Sequence, residues 1–186
     1  MAKPERMLSS PGNFRKLLTY QKAEIIYDIT FYFCHKYLRV GDRTIDQMVQ
    51  AARSGKQNIV EGCKFSLTSS EIEIKLINVA KSSLQELMMD YEDYLRTRKH
   101  RQWEENSVEI TKMRELLRNK RYGTDFYMKI VETRPPETIA NIVISMIKQN
   151  DYLLHKQLET LEKDFLENGG LREKMSRMRL EHRKKN

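Results

Sequence analysis

The segment from Gln50 to Gly62, QAARSGKQNIVEG, concentrates residue types that can do chemistry. Its Ser-Gly-Lys run contains the Gly-Lys pair of a phosphate-binding loop. Such a loop also requires an earlier glycine, at the position that Gln50 occupies here, and a strand that leads into it. The surrounding pattern is helical. The segment therefore does not predict a Walker-type nucleotide site.

Residues for metal binding or nucleophilic catalysis are few. None of the 4 histidines stands in a Glu-x-x-His pair of the kind found in di-iron bundles, and there is no HExxH. Cys34 and Cys63 lack CxxC spacing, so we expect reduced, buried thiols. Ser54 or Cys63 would need a base held by a third group, and the spacing of the histidines does not require one. We predict a non-enzymatic protein without metal, cofactor or small-molecule substrate, and an enzymatic role through Ser54 or Cys63 stays as a third hypothesis.

Basic residues are the remaining chemical signal. The formal net charge is +8, and residues 171–186 alone carry seven Lys or Arg against two Glu. Two internal clusters, RTRKHRQW from Arg96 and RNKRY from Arg118, also join cations to aromatics. Such groups bind phosphates and stack on unpaired bases, or they only solvate a helix. We favour solvation for the internal clusters and keep both interpretations for the tail. The candidate nucleic-acid contacts are Arg172, Arg177, Arg179, Arg183, Lys184 and Lys185, together with Arg96, Arg98, Lys99 and Arg101.

The elements that position these residues are predicted to be helices. Only 7 Gly and 4 Pro interrupt the chain, whereas a sheet protein needs frequent turns. Four segments carry apolar residues at helical spacing, and short links follow the first two. This pattern predicts an all-α fold, an antiparallel up-and-down four-helix bundle. The four helices are expected from about Leu17 to Leu38, from a cap at Asp42 or Thr44 to near Gly62, from the capping region at residues 68–70 to Leu95 with a stripe that begins at Ile72 and Leu76, and from Pro136 to the stop at Gly169 and Gly170.

The remaining segments are assigned around this bundle. Residues 1–16 are predicted to be flexible, and residues 17–168 form the bundle with a long helical crossing at about 100–135. Ile110, Met113 and Leu117 indicate one short helix in that crossing. Residues 169–186 begin with a double glycine and are predicted to form a basic suffix helix. No apolar run approaches the roughly 18 residues of a membrane span, so we expect a soluble, cytoplasmic protein without a membrane role.

The register of the second helix explains the glycine of its motif. Gly55 falls inside the apolar stripe, where a glycine costs about 1 kcal/mol relative to alanine, so we expect a close crossing by another helix. Ser54, Asn58 and Glu61 form a polar line beside it. We favour hydrogen bonds from this line to the neighbouring helix, and the alternative is a polar groove for a ligand or subunit. The stripe consists of Ile45, Met48, Ala52, Gly55, Ile59 and Cys63.

The same segment resembles a known family motif. AARSGKQNIVEG is similar to the motif of the four-helix-bundle family encoded by intervening sequences within bacterial 23S ribosomal RNA genes, a superfamily shared with the accessory protein of diversity-generating retroelements. SSEIEIKLINVAKSSLQELMMDY resembles the third helix of that family. IANIVISMIKQNDYLLHKQLETLEKDFLENGGLREKM resembles a subgroup with a four-helix-bundle suffix domain. The motif positions are Arg53, Ser54, Asn58, Ile59, Glu61 and Gly62.

The resemblance implies a ring-like homo-oligomer, pentameric in characterised relatives, with a basic surface that serves a reverse transcriptase and nucleic acid in the retroelement branch. The long crossing between Arg101 and Pro136 departs from the minimal family pattern. We therefore predict a non-enzymatic oligomeric binding protein that acts on RNA or a ribonucleoprotein through basic surfaces. The alternative is a scaffold whose basic tail docks on a neighbouring subunit and has no nucleic-acid role.

Overall fold

The computed structural model describes residues 13–66, 68–119 and 123–185. All the regular secondary structure in these ranges is helical. The predicted all-α class is therefore confirmed. Residues 1–12 of the predicted flexible segment lie outside the described residues, and a short 3-10 turn at Phe14–Lys16 precedes the first α-helix. The α-helices are α1 (Leu18–Tyr37), α2 (Arg43–Phe65), α3 (Ser70–Thr97), α4 (Val108–Arg118), α5 (Thr124–Val131), α6 (Pro136–Asn168) and α7 (Leu171–Lys185).

The helices begin where side chains satisfy free backbone N–H groups. Asp42 caps α2, because its Oδ1 accepts from the Thr44 N–H at 2.9 Å. Ser69 caps α3, because its Oγ accepts from the Ile72 N–H at 3.2 Å. Pro136 occupies the first turn of α6, where its missing N–H leaves no hydrogen bond unmade. These local signals fix the starts of three long helices.

An aromatic cluster lies in the core that the four long helices share. α1 and α3 each pack against both α2 and α6. The Phe33 ring centroid lies 5.0 Å from that of Tyr91 and 4.8 Å from that of Tyr94. The Tyr91 hydroxyl is buried, and it donates to Thr30 Oγ1 at 3.1 Å. This hydrogen bond removes the penalty of burying two hydroxyl groups in an apolar core.

The apolar stripe of α3 differs from its predicted position at the N-terminal end. We expected Ile72 and Leu76 to face the core, but Ile72 is 41% exposed. Glu73 and Ile77 are buried in their place, with 7% and 0% exposure. Buried positions then recur every three to four residues along α3, as on a helix that packs lengthwise against its neighbours. The prediction drifted because it used only steps of four residues at this end. The buried residues of α3 are Glu73, Ile77, Ala80, Ser83, Leu84, Leu87, Tyr91, Tyr94 and Leu95.

The crossing between α3 and α6 contains two helices, although the sequence indicated only one. α4 packs on α6 and buries the predicted Ile110, Met113 and Leu117. α5 was not predicted, and it packs on α1 through the buried Tyr127 and Val131. Across the residues described, no helix has the length and apolar character needed to cross a membrane.

α2 and α3 approach one another closely at two glycines of α2. A Cβ built on Gly55 would lie 2.7 Å from both Cγ and Cδ2 of Leu84, and one built on Gly62 would lie 3.2 Å from Cδ1 of Ile77. Gly55 and Gly62 therefore leave room on α2 for two buried side chains of α3. The branched part of Leu84 occupies the volume that a side chain at position 55 would need.

We predict that Gly55→Ala lowers the free energy of unfolding by about 1–2 kcal/mol, because overpacking outweighs the better helix propensity of alanine. Urea denaturation measures the change. Gly123→Ala, at the N-cap of α5, is the control for steric overlap, since no described atom beyond its chain neighbours lies within 4 Å of a Cβ at that position. A Gly55→Ala variant as stable as the parent would show that α3 moves aside freely.

Candidate functional site

The polar line on α2 forms hydrogen bonds across the α2–α3 crossing. The Oγ atoms of Ser54 and Ser83 are 2.9 Å apart. Asn58 Nδ2 donates to the backbone oxygen of Ser54 at 2.9 Å and to its Oγ at 3.2 Å. Glu61 is exposed and takes no part in this network. The structure thus joins Ser54 and Asn58 in one network, and it adds Ser83 of α3 to that network. The sequence signal for Ser83 was a serine within the apolar stripe of α3.

A groove of about 390 Å³ runs beside this hydrogen-bonded seam. Two carboxylates, Glu86 and Asp90, line it. Burial raises the pKa of Asp90, and the nearby Asp93 and Glu86 raise it further. The groove therefore carries negative potential, which opposes the binding of phosphate. Its other lining residues are Gln47, Gln50, Ala51, Ser54 and Ser83.

The side chains considered for nucleophilic chemistry lack activation. Ser54 is hydrogen-bonded to a second serine and an asparagine, neither of which is a base at neutral pH. Burial raises the pKa of Cys34 to about 12, and it also raises that of Cys63, where Glu73 adds to the effect. Both cysteines are thus thiols rather than thiolates at neutral pH. Of the side chains described, no group of three or more His, Cys, Asp or Glu is placed to hold a metal ion.

The basic cluster after α3 is compensated in part, because two of its four cations lie beside carboxylates. Arg96 forms a salt bridge of 2.7 Å with Asp93, and Arg101 lies 3.6 Å from a carboxylate oxygen of Glu109. The Arg98 guanidinium lies 4.0 Å above the Tyr94 ring. Lys99 is exposed in a left-handed conformation, with φ of 58°, where the chain leaves α3. This environment favours the solvation interpretation for the internal cluster. In the second cluster, residues 120–122 lie outside the described part of the chain.

The basic cluster of α7 has a different environment. Gly169, with φ of 69°, separates α7 from α6. Lys174 Nζ lies 3.4 Å from Asp164 Oδ2, and Arg177 donates to the backbone oxygen of Asn168. These two contacts hold the first turns of α7 near the end of α6. The predicted contacts Arg172, Arg177, Arg179, Arg183 and Lys184 are all exposed, while the Lys185 side chain lies outside what the structure describes.

The two basic clusters lie at opposite ends of the long helices. His100 and Arg101, after α3, contact Glu137 in the first turn of α6. Gly170, after α6, lies beside Glu71 in the first turn of α3. A helix as long as α3 spans about 40 Å, so one compact ligand cannot contact both clusters. They are two separate surfaces.

Glu73 is a buried carboxylate that the sequence analysis did not single out. Burial raises its pKa from 4.5 to about 7, and Asp164 adds a smaller increase. Within the described ranges, no salt bridge or hydrogen bond joins this side chain to a partner. The only sequence signal was its place next to Ile72, because the N-terminal end of the α3 stripe was predicted one residue away from its observed position.

Comparison with known proteins adds no relative, since no family model, curated protein or solved structure matches the chain. The resemblance carried by Arg53, Ser54, Asn58, Ile59, Glu61 and Gly62 therefore stays a prediction.

We predict that Glu73 makes the protein less stable as pH rises. The folded state favours the protonated carboxyl, so its contribution is fully present below pH 4.5 and is lost as pH rises through about 7. Glu73→Gln should raise the free energy of unfolding by about 1–2 kcal/mol at pH 8, with a smaller gain at pH 5. Urea denaturation at both pH values measures this difference.

Glu71→Gln is the matched control, because Glu71 is an exposed carboxylate on the same helical turn. It should leave the pH dependence of the parent in place. An equal effect of Glu73→Gln at pH 5 and pH 8 would contradict the assignment.

Proposed function

We propose that this protein is a non-enzymatic, homo-oligomeric binding protein that acts on RNA or a ribonucleoprotein through α7. The observation that carries the proposal is a row of arginines on that helix. At 100° per residue, Arg172, Arg179 and Arg183 lie within about 40° of one another around the helix axis and span about 16 Å. All three are exposed, and no salt bridge joins them to a carboxylate of the described chain. Such a row suits the phosphates of one nucleic-acid strand.

The architecture we propose for α1, α2, α3 and α6 is an antiparallel up-and-down four-helix bundle. Contacts between α2 and α3 support it, because Gly55 meets Leu84 whereas the later Gly62 meets the earlier Ile77. Contacts at both ends of α3 and α6 support the same arrangement for that pair. α4 and α5 then form the crossing, and α7 forms the suffix helix.

The oligomeric part of the proposal is supported by apolar side chains on the outer faces of α1 and α3. Phe31, Val79 and Met89 are all substantially exposed. A second copy of the chain that covers them would remove apolar surface from water. The resemblance described above favours a ring-like assembly, pentameric in characterised relatives.

A scaffold is the second candidate function, and the apolar side of α7 favours it. Leu171, Met175 and Met178 are only partly covered, and Leu180 is 55% exposed. An isolated helix of this length is marginal in water, so a neighbouring subunit that packs on these residues would stabilise it. In that case the arginines would only solvate the helix.

The test compares two sets of charge-removing substitutions. In the α7 variant we expect affinity for a fluorescein-labelled single-stranded RNA to fall at least tenfold, because cation–phosphate contacts are lost. The salt dependence should flatten by about 0.7 in log–log slope for each lost contact. Fluorescence anisotropy over a range of KCl concentrations measures both. The α7 variant combines R172Q, R179Q, R183Q and K184Q.

The control removes charge at the other end of the bundle, with R96Q, R98Q and K99Q. It should change affinity and slope much less, because Arg96 is already paired with Asp93 and the Arg98 guanidinium lies over the Tyr94 ring, so Lys99 is the one cation of the three without such a neighbour among the described residues. Unchanged affinity and slope in the α7 variant would refute the RNA proposal. Deletion of residues 171–186 that lowers the subunit number in light scattering, with RNA binding intact, would establish the scaffold instead.

A further inference from the structure

A cleft of about 590 Å³ lies between α4 and α6, beneath the segment that links α3 to α4. This volume falls in the range of small-molecule sites, which is about 300–1,000 Å³. Its apolar lining comes from Trp103, Ile110, Leu117 and Leu153. The cleft is separate from α7 and from the α2–α3 groove. It therefore offers a binding surface that the proposed RNA function does not use.

The wall that carries Trp103 is held in place by a buried amide. Asn141 is 1% exposed, and its Oδ1 accepts from the backbone N–H of Trp103 at 2.7 Å. Its Nδ2 donates to the backbone oxygen of Arg101 at 2.9 Å. Ser145, which also lines the cleft, donates to the backbone oxygen of Asn141 at 2.8 Å. These hydrogen bonds fix the backbone that carries Trp103 against α6 before any ligand arrives, which reduces the ordering cost of binding.

Cations outnumber carboxylates around the cleft. Arg114, Arg118 and Lys148 line it, against the single carboxylate of Glu105. Glu105 lies 3.3 Å from Arg114. No carboxylate among the described residues forms a salt bridge with Arg118 or Lys148. These two side chains leave positive charge available for an anionic group.

Gln149 supplies an unsatisfied acceptor in the lining. Its Oε1 is buried, and no donor among the described residues reaches it. A buried acceptor without a partner is unfavourable, so a ligand N–H group that reaches it relieves this penalty. The amine or ring N–H of a nucleobase can donate here. A fatty acid, the other anionic ligand that would suit an apolar cleft, has an ionised carboxylate and no N–H group to donate.

We propose that this cleft binds a nucleotide. The base lies against the Trp103 indole and donates to Gln149, while Arg118 and Lys148 attract the phosphate. A free mononucleotide and a terminal nucleotide of a single-stranded RNA share this chemistry. The proposal departs from the expectation that the chain takes no small-molecule ligand, and it does not rest on the role of α7.

Trp103 makes the test direct, because it is the 1 tryptophan of the chain. Titration of the full chain with adenosine, guanosine, cytidine or uridine 5′-monophosphate should give a saturable change in tryptophan fluorescence for at least one of the four. Equilibrium dialysis with the same mononucleotide gives the stoichiometry. The matching nucleoside and inorganic phosphate should each bind about tenfold more weakly, because each lacks one of the two recognised parts.

Three variants place the ligand in the cleft. Lys148→Gln and Arg118→Gln should each weaken mononucleotide binding by about five- to tenfold. Gln149→Met should weaken binding of the nucleotide and leave binding of inorganic phosphate unchanged, since it removes only the acceptor for the base. Lys163→Gln, on the same helix but outside the cleft, should bind as the parent does. Circular dichroism confirms that each variant folds.

The outcomes separate this proposal from the proposed RNA function. If the α7 variant loses RNA affinity and retains mononucleotide binding, both proposals hold independently. If a 5′-phosphorylated oligonucleotide displaces the mononucleotide, the ligand of the cleft is an RNA terminus. If it does not displace the mononucleotide, the ligand is a free nucleotide. No fluorescence change and no dialysis binding up to about 10 mM overturns the cleft assignment. Binding of dodecanoate in preference to every mononucleotide overturns it as well.

Discussion

The missing side chains at Gly55 and Gly62 are the constraint on which the arrangement of the long helices depends. These glycines are seven residues apart, as are Leu84 and Ile77, which fill the space they leave. Because seven residues are nearly two helical turns, both contacts lie on one face of each helix. A single register of α2 against α3 satisfies both contacts. A Cβ at either glycine would widen the crossing and weaken the packing beside it.

That register also explains where polar groups are tolerated in the crossing. Ser54 is the chain neighbour of Gly55 on α2. It lies opposite Ser83 because α3 packs directly against the glycines. The two hydroxyls satisfy one another, and Asn58 completes the set from the next turn of α2. A seam of short polar side chains can accompany a close approach, whereas long side chains would hold the helices apart. The polar line is thus a consequence of tight packing rather than a catalytic arrangement.

Local signals in the sequence predicted the parts of this fold that depend on neighbouring residues. Asp42 and Pro136 each mark a helix start through their own chemistry, so both starts could be predicted. The burial of Glu73 instead of Ile72 depends on which side of α3 meets α2 and α6, and the stripe alone supports either register. The cleft was also beyond prediction, because Trp103 and Lys148 come from distant segments that the buried Asn141 and the packing of α4 bring together.

Charge in this chain is segregated, and this segregation limits where a polyanion can lie. Glu86 and Asp90 give the α2–α3 groove a negative potential, so a nucleic acid is repelled from the seam. Beyond the end of α3, the charge of Arg96 is offset by its salt bridge to Asp93. The uncompensated arginines of α7 begin after Gly169, at the end of the bundle where α3 starts. In the proposed function, a nucleic-acid strand held by those arginines would stay clear of the acidic groove, since leaving α7 for the groove would exchange attraction for repulsion.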